Sequence, residues 1–152
     1  LYLSEGDPNH ILMYFVGGAS CADTDLSKTV ESCYRRSKMV LGSILYWHET
    51  NTFEGILSND VNKNLFGNWT KAVFVYCDGA FHQGNSKSPF KYKDTTLYFR
   101  GGPITRSHFK YLDSRFSFAN AKKVVLTGSS AGGIATFVWA DYLKTLLPNP
   151  ET

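Results

Sequence analysis

Residues 124–133 read VVLTGSSAGG, and this stretch decides the fold because a short apolar strand runs directly into a glycine-rich turn. After the turn, apolar residues recur at helical spacing, at Ile134, Val138, Tyr142 and Leu146. Gly128-x-Ser130-x-Gly132 matches the nucleophile elbow, a sharp strand-to-helix turn that lifts a serine hydroxyl above the edge of a sheet. The glycines are needed because side chains would collide there. The sequence therefore predicts Ser130 as a nucleophile.

Upstream of the elbow the sequence predicts further alternation of strands and helices, which is typical of an α/β protein with a parallel sheet. The predicted elements are strands at 2–3, 11–16, 72–76 and 95–99 and helices at 26–39 and 104–116. A turn at 6–9 is predicted to join the first two strands. Between residues 42 and 70 we expect irregular structure held by aromatic anchors. Residues 1–152 are expected to form one domain.

The composition is that of a folded globular protein, since 43% of the 152 residues are hydrophobic and only 19% are charged. The formal charge of +3 is small and no five like charges stand together, so neither a nucleic-acid groove nor an anionic-membrane patch is predicted. The longest apolar run, 11–16, is far shorter than the roughly 18–20 residues that cross a bilayer. The chain begins at Leu1 without an initiator methionine, so a targeting peptide is neither seen nor excluded. The number of subunits is not predicted.

The three cysteines contain no C-x-x-C pair, so neither a thiolate zinc site nor a thiol-redox motif is predicted. A disulfide between two of them, with the third left for a partner outside the chain, would fit an oxidising compartment. We expect no metal and no other cofactor.

The residues around Ser130 also predict hydrogen-bond donors for an oxyanion. The helix that follows presents free N–H groups and the positive end of its dipole, and the N–H of Ala131 is the first of these donors. A glycine-rich loop after an earlier strand commonly supplies the second donor, and Gly17-Gly18-Ala19 follows the strand 11–16 in that manner. Two alternatives stay open. The glycines could form only a tight turn and a close strand–helix contact. They could also form a phosphate-binding loop, although the sequence lacks both G-x-G-x-x-G spacing and a Walker lysine.

Several sequence blocks, taken in order, resemble a known family. They are Val16-Gly17-Gly18-x-x-Cys21, Leu41-Gly42-Ser43, Gly55-Ile56-Leu57-Ser58-Asn59, Asn68-Trp69, Tyr76-Cys77-Asp78-Gly79-Ala80, Phe99-Arg100-Gly101 and Gly128-Ser129-Ser130-Ala131-Gly132-Gly133. Over about residues 11–148, the chain is similar to the pectin acetylesterases and the related Notum-type carboxylesterases of the α/β-hydrolase superfamily. The resemblance implies an α/β-hydrolase-like, mostly parallel sheet flanked by helices.

The same resemblance implies a secreted or lumenal serine esterase that needs no cofactor. Ser130 would be the nucleophile, and the N–H groups of Gly18, Ala19 and Ala131 would form the oxyanion hole. At position 19 the family tends to have Trp or Gly, so Ala19 leaves the acyl preference open. Acetate on a pectin-like polysaccharide is the first expectation, and a longer acyl group on a protein, as in Notum, is the alternative.

The cysteines and one asparagine carry three further expectations. The resemblance pairs Cys21 with Cys33 in a local disulfide, and it pairs Cys77 with a residue upstream of Leu1. Asn68-Trp69-Thr70 fits the sequon for N-glycosylation, which stands as a hypothesis.

The partners of a serine triad are missing after Ser130. In α/β-hydrolases an acid and then a histidine follow the serine, yet residues 131–152 contain no histidine and only Asp141 and Glu151 as acids. The sequence therefore predicts a domain that is incomplete at its C-terminus and inactive by itself. A non-catalytic carbohydrate-binding remnant of the fold is the alternative from another class.

The four histidines precede the serine, at His10, His48, His82 and His108. Each is expected to be a structural or surface histidine, with His82 the best placed to reach a pocket. Asp78 is expected to be a turn residue, because a short carboxylate after a strand commonly accepts bonds from the next backbone N–H groups.

Overall fold

A computed structural model describes residues 1–147 and contains a four-stranded sheet in the order β1-β3-β2-β6. Its strands are β1 (Tyr2–Ser4), β2 (Asp7–Phe15), β3 (Trp69–Phe74) and β6 (Lys123–Gly128). β2 pairs in parallel with both β3 and β6, whereas β1 pairs antiparallel with β3. The predicted mostly parallel sheet is therefore confirmed.

The predicted turn at 6–9 is wrong for most of its length. Residues 7–9 belong to the start of β2, where the pairing with β3 shifts register between Asp7 and Ile11. The Asp7 carboxylate accepts hydrogen bonds from the backbone and side chain of Asn9. Local turn chemistry is thus satisfied inside a bulged strand. β1 consequently crosses to the far side of β3 and does not pair with β2.

The predicted strand at 95–99 is confirmed over residues 95–97, but its predicted place in the buried parallel sheet is wrong. β4 (Phe90–Tyr92) and β5 (Thr95–Leu97) form a separate antiparallel hairpin that does not join the main sheet. Lys93 and Asp94 are its two-residue loop, and Lys93 has a φ of 50°, which suits the tight turns that connect paired strands. Only Leu97 of β5 is buried, so a single apolar face packs inward.

The helices are α1 (Leu26–Arg36), α2 (Gly101–Phe116) and α3 (Ala131–Leu146). α1 ends three residues before the predicted boundary, and its N-cap is Asp25, whose side chain accepts from the N–H of Lys28. α2 begins three residues earlier than predicted, so Pro103 lies in its first turn, where a missing N–H is tolerated. None of the helices in the described part of the chain is both long and apolar enough to cross a membrane.

The two faces of the main sheet bury different partners, because alternate residues of a strand point to opposite sides. On one face, Phe15 and Phe74 pack with Phe109 of α2 and Trp139 of α3. On the other face, aromatic residues of the segment 44–69 cover Leu12 and its neighbours in β3. That segment contains only two short 3-10 turns, Ile44–Tyr46 and Gly55–Leu57, as its irregular sequence predicts.

Candidate active site

The candidate site lies at the edge of the sheet where three parallel strands end together. In the strand register, Phe15 of β2 is paired with both Phe74 of β3 and Gly128 of β6. The loops that leave these three strand ends therefore begin side by side. This edge, outside the carboxyl ends of the strands, is where open α/β sheets bind their ligands.

Ser130 is held in the strained geometry that an elbow requires. Its φ is 53° and its ψ is −120°, a region that non-glycine residues rarely occupy. It is the N-cap residue of α3, yet its hydroxyl makes no capping hydrogen bond, and the residue is exposed. The hydroxyl is thus accessible to a substrate.

The loop after β2 contacts the elbow at Gly17. A Cβ atom at position 17 would overlap the carbonyl oxygen of Ser129 and lie 3.0 Å from the Cβ of Ser130. Only glycine permits this approach. Gly18 and Ala19 follow with φ values of 137° and 54°, so the loop turns sharply beside the serine.

The three predicted oxyanion donors make no hydrogen bond within the described residues. Within residues 1–147, no backbone or side-chain acceptor is bonded to the N–H groups of Gly18, Ala19 or Ala131. An N–H group without a partner at the surface is bonded to water or to a ligand. The structure thus places a strained, exposed serine next to a glycine-rich loop that has free donors.

Three carbonyl groups in and next to this loop, those of Val16, Gly18 and Ala19, are bound by buried side chains. His82 Nε2 lies 2.9 Å from Val16 O, Arg36 Nη1 lies 2.6 Å from Gly18 O, and Tyr76 Oη lies 2.7 Å from Ala19 O. The three side chains stack on one another. The Arg36 guanidinium lies 4.6 Å from the centre of the Tyr76 ring, and the rings of Tyr76 and His82 are also 4.6 Å apart.

His82 serves the loop and does not contact Ser130. Its ring is buried, and burial lowers its pKa, so the ring is neutral at neutral pH and donates from Nε2 to the carbonyl of Val16. Its backbone carbonyl accepts from Trp139 and Thr105. The expectation of a structural histidine close to the pocket agrees with these bonds.

Asp78 organises the turn after β3. Its carboxylate accepts hydrogen bonds from the backbone N–H groups of Ala80, His82 and Gly84. These bonds fold the segment back so that the His82 side chain reaches Val16. The prediction that Asp78 is a turn residue is confirmed.

The other histidines lie in structural settings. His10 is bonded to Asp7 at 2.7 Å, the carbonyl of His48 accepts from the Tyr2 hydroxyl, and the His108 ring packs edge-on against Phe74. No histidine in residues 1–147 is hydrogen-bonded to Ser130. Of the two acids after the serine, Asp141 is an exposed residue of α3, and Glu151 lies outside the described residues.

Cys21 and Cys33 form the disulfide that the family resemblance implies, and it ties α1 to the segment after the Gly17-Gly18-Ala19 loop. Cys77 is a free, partly buried thiol whose pKa is raised by burial. In the described range, no cluster of three or more histidine, cysteine, aspartate or glutamate side chains could hold a metal ion.

The sequence did not identify Arg36 as a site residue, and it identified Tyr76 only as part of the block Tyr76-Cys77-Asp78-Gly79-Ala80. Arg36 is 91% buried, although α1 is otherwise mostly exposed. A signal was present, because Arg36 lies one helical turn after Cys33 and therefore on the same face of α1. An arginine on the buried face of an amphipathic helix points to a specific acceptor.

A cavity of about 440 Å³ lies behind the loop and is lined by Arg36, Cys77, Asp78, His82 and His108, among others. Neither Ser130 nor the residues of the Gly17-Gly18-Ala19 loop line this cavity. The cavity is therefore not the site at which an acyl group would contact Ser130.

The chain matches known proteins over most of its length. The family model for pectinacetylesterase matches residues 2–152. Pectin acetylesterase 4 and pectin acetylesterase 5 of Arabidopsis thaliana are 37% and 38% identical to the chain over 145 and 138 residues, which are 95% and 90% of this chain and 34% and 30% of those proteins. The palmitoleoyl-protein carboxylesterase NOTUM of Schmidtea mediterranea is 31% identical over 138 residues, 90% of this chain and 24% of that protein.

Among solved structures, the Wnt deacylase Notum from Drosophila superposes with a TM-score of 0.80 at 24% sequence identity, covering 97% of this chain and 41% of that one. At this identity the likeness establishes the fold, which is that of an α/β-hydrolase. The chain spans about a third of the length of the curated relatives that it matches.

Proposed function

The chain belongs to the pectinacetylesterase family, and we propose that it carries the nucleophile of a serine esterase that removes acetate from a polysaccharide such as pectin. The observation that carries this proposal is Ser130, exposed and strained at a strand-to-helix turn beside free N–H groups. Such a constellation suits acyl transfer, in which a hydroxyl attacks a carbonyl and donors stabilise the resulting oxyanion.

In the proposed reaction, the Oγ of Ser130 attacks the ester carbonyl and its proton passes to a histidine. The N–H groups of Gly18, Ala19 and Ala131 donate to the oxyanion of the tetrahedral intermediate. The intermediate expels the sugar hydroxyl, which takes the proton back from the histidine. Water then attacks the acyl-enzyme, giving free Ser130 and acetate.

The histidine and its acid would come from sequence beyond Thr152. Residues 131–152 contain no histidine, and α/β-hydrolases place both partners after the serine. We therefore propose that residues 1–152 are the N-terminal part of one catalytic domain and are inactive alone. The Cys21–Cys33 disulfide supports a secreted or lumenal setting, because disulfides persist in oxidising compartments.

The test uses the full-length protein and a fluorophosphonate probe, which reacts with activated serines. We expect wild-type protein to be labelled and to release acetate from acetylated pectin, and Ser130→Ala to do neither. Ser129→Ala is the matched control, because Ser129 is the neighbouring exposed hydroxyl and is expected to be dispensable. Equal labelling of wild type and Ser130→Ala would overturn the proposal.

A second candidate is removal of a longer acyl group from a protein, which Ala19 and the relative named palmitoleoyl-protein carboxylesterase favour. An alanine in place of the family's tryptophan at this position would leave more room for an acyl chain. Turnover of acetyl and octanoyl esters of one alcohol separates the two. Preference for octanoyl would select the second candidate, and binding of pectin without any hydrolysis would instead indicate a non-catalytic remnant.

A further inference from the structure

We propose that Arg36 and Tyr76 are positioning residues that hold the Gly17-Gly18-Ala19 loop so that the N–H of Ala19 points at the reacting carbonyl, with His82 as a third anchor. This inference rests on the proposed function, because it assigns a role within the same serine esterase site. None of these side chains contacts Ser130, so they would act through the backbone of the Gly17-Gly18-Ala19 loop.

The orientation of one donor follows from the planarity of the peptide bond. In a trans peptide, the C=O of one residue and the N–H of the next point in opposite directions. Arg36 Nη1 binds the carbonyl of Gly18 at 2.6 Å and draws it toward the protein interior. The N–H of Ala19, in the same peptide unit, is therefore held pointing away from Arg36.

Two further peptide units of this segment are fixed in the same way. Tyr76 donates its hydroxyl to Ala19 O, and His82 donates to Val16 O. The carbonyls of Val16, Gly18 and Ala19 are therefore held away from the serine, where a carbonyl would repel an oxyanion. This matters because Ala19 has a φ of 54°, a conformation that a non-glycine residue leaves unless its surroundings hold it.

Arg36 is costly to the fold, which argues against a purely structural role. Its side chain is 91% buried, and its Nε and Nη2 atoms have no hydrogen-bond partner within the described residues. It forms no salt bridge there, and its guanidinium lies against the Tyr76 ring. A buried cation with unmet donors destabilises a protein, and this offsets the bond to Gly18 O and the attraction to Asp78, so we expect an apolar side chain at this position to change stability little.

The Tyr76 hydroxyl does two tasks in the same network. It donates to Ala19 O and accepts from the N–H of Phe81, which joins the loop after β3 to the loop after β2. Its ring supports both Arg36 and His82. Removing only the hydroxyl leaves the ring stack intact and releases one carbonyl.

The experiment compares Arg36→Met and Tyr76→Phe with wild type in the full-length enzyme. We expect kcat to fall by about 10- to 100-fold in each variant with KM little changed, because the donors act on the transition state. Arg36→Met should melt close to the wild-type temperature. Arg35→Met, its exposed neighbour on α1, and Tyr34→Phe, whose hydroxyl binds Asp94 on the surface, are matched controls that should keep wild-type kcat.

A second readout is the affinity for a trifluoromethyl ketone, which forms a tetrahedral adduct with an activated serine. The two variants should lose inhibitor affinity in parallel with kcat. Wild-type kcat in both variants, or a kcat loss that only follows a lowered melting temperature, would overturn this inference. If wild-type enzyme shows no turnover that depends on Ser130, the proposed function itself fails and this role falls with it.

Discussion

The backbone at Gly132 packs so closely on the carbonyl of Phe15 that a Cβ atom at position 132 would overlap its oxygen and lie 2.6 Å from its carbon. The first turn of α3 is thereby set directly against the end of β2. This contact fixes where the elbow stands relative to the loop that begins at Val16. The final glycine of the G-x-S-x-G motif is thus needed for packing as well as for the turn.

Gly132→Ala should therefore lower the free energy of unfolding by about 2–3 kcal/mol, because helix α3 must move away from β2. Activity should fall further than stability requires, since Ser130 moves with the helix. Gly133→Ala is the matched control, because its Cβ would meet only the carbonyl oxygen of Gly128, at an ordinary contact distance of 3.6 Å. We expect Gly133→Ala to be neutral or to stabilise by roughly 0.5–1 kcal/mol. Denaturant unfolding of both variants is the measurement, and equal stabilities would contradict the packing explanation.

Loss of the Cys21–Cys33 disulfide should lower the free energy of unfolding by roughly 3 kcal/mol, the value expected for closing a loop of about a dozen residues. Loss of the bond should also lower kcat, because Cys33 anchors α1 one helical turn before Arg36. The measurement is unfolding and turnover of the Cys21→Ser/Cys33→Ser double variant. The control is Ser32→Ala, an exposed residue of α1 beside Cys33. A double variant as stable as wild type would show that the disulfide is dispensable.

Stability should fall in mildly acidic solution because of His108. Burial, with His82 close by, lowers its pKa to about 4, whereas an unfolded histidine has a pKa of about 6.5. The unfolded state therefore binds more protons between these values. The stabilisation is complete above pH 6.5 and is lost as the pH falls to about 4, by up to about 3 kcal/mol.

The check is denaturant unfolding of wild type and His108→Gln at pH 7 and pH 4.5. We expect the variant to lose less stability on acidification than wild type. Some dependence should persist, because burial lowers the pKa of His82 as well. Identical losses in the two proteins would show that His108 does not contribute.

The isolated chain 1–152 should aggregate, because α3 exposes Ile134, Phe137 and Val138 and β6 pairs on only one side within the described residues. Phe137, at 86% exposure, is the largest of these apolar side chains. Phe137→Glu should raise the soluble fraction of the isolated chain. Leu65→Glu is the control, because Leu65 is 95% exposed in a loop away from that face. Size-exclusion chromatography is the measurement, and a monodisperse wild-type chain would contradict the prediction.

The elements that could be predicted from sequence are those whose signals are local and repeated. The strand before Ser130 and the helix after it follow from an apolar run and a 3.6-residue period, and the structure confirms both. The strand at 95–97 was predicted but its pairing was not, because a short apolar run does not say which strand it pairs with. Lys93 and Asp94 form the hairpin loop without the Asn-Gly or Asp-Gly sequence that predicts one. The roles of Ser130 and its donors stay predictions, for which the geometry gives support.

The sequence alone determined the strand–turn–helix unit at Ser130, the family and the loop Gly17-Gly18-Ala19, because each depends on residues that are neighbours in the chain. Only the tertiary structure decided that Arg36 and Tyr76 bind two carbonyls of that loop and that His82 binds the carbonyl just before it. These residues come from α1 and from the segment after β3, and parallel pairing brings that segment beside the loop after β2. Contacts of this kind depend on chain folding over long separations, which no local pattern records.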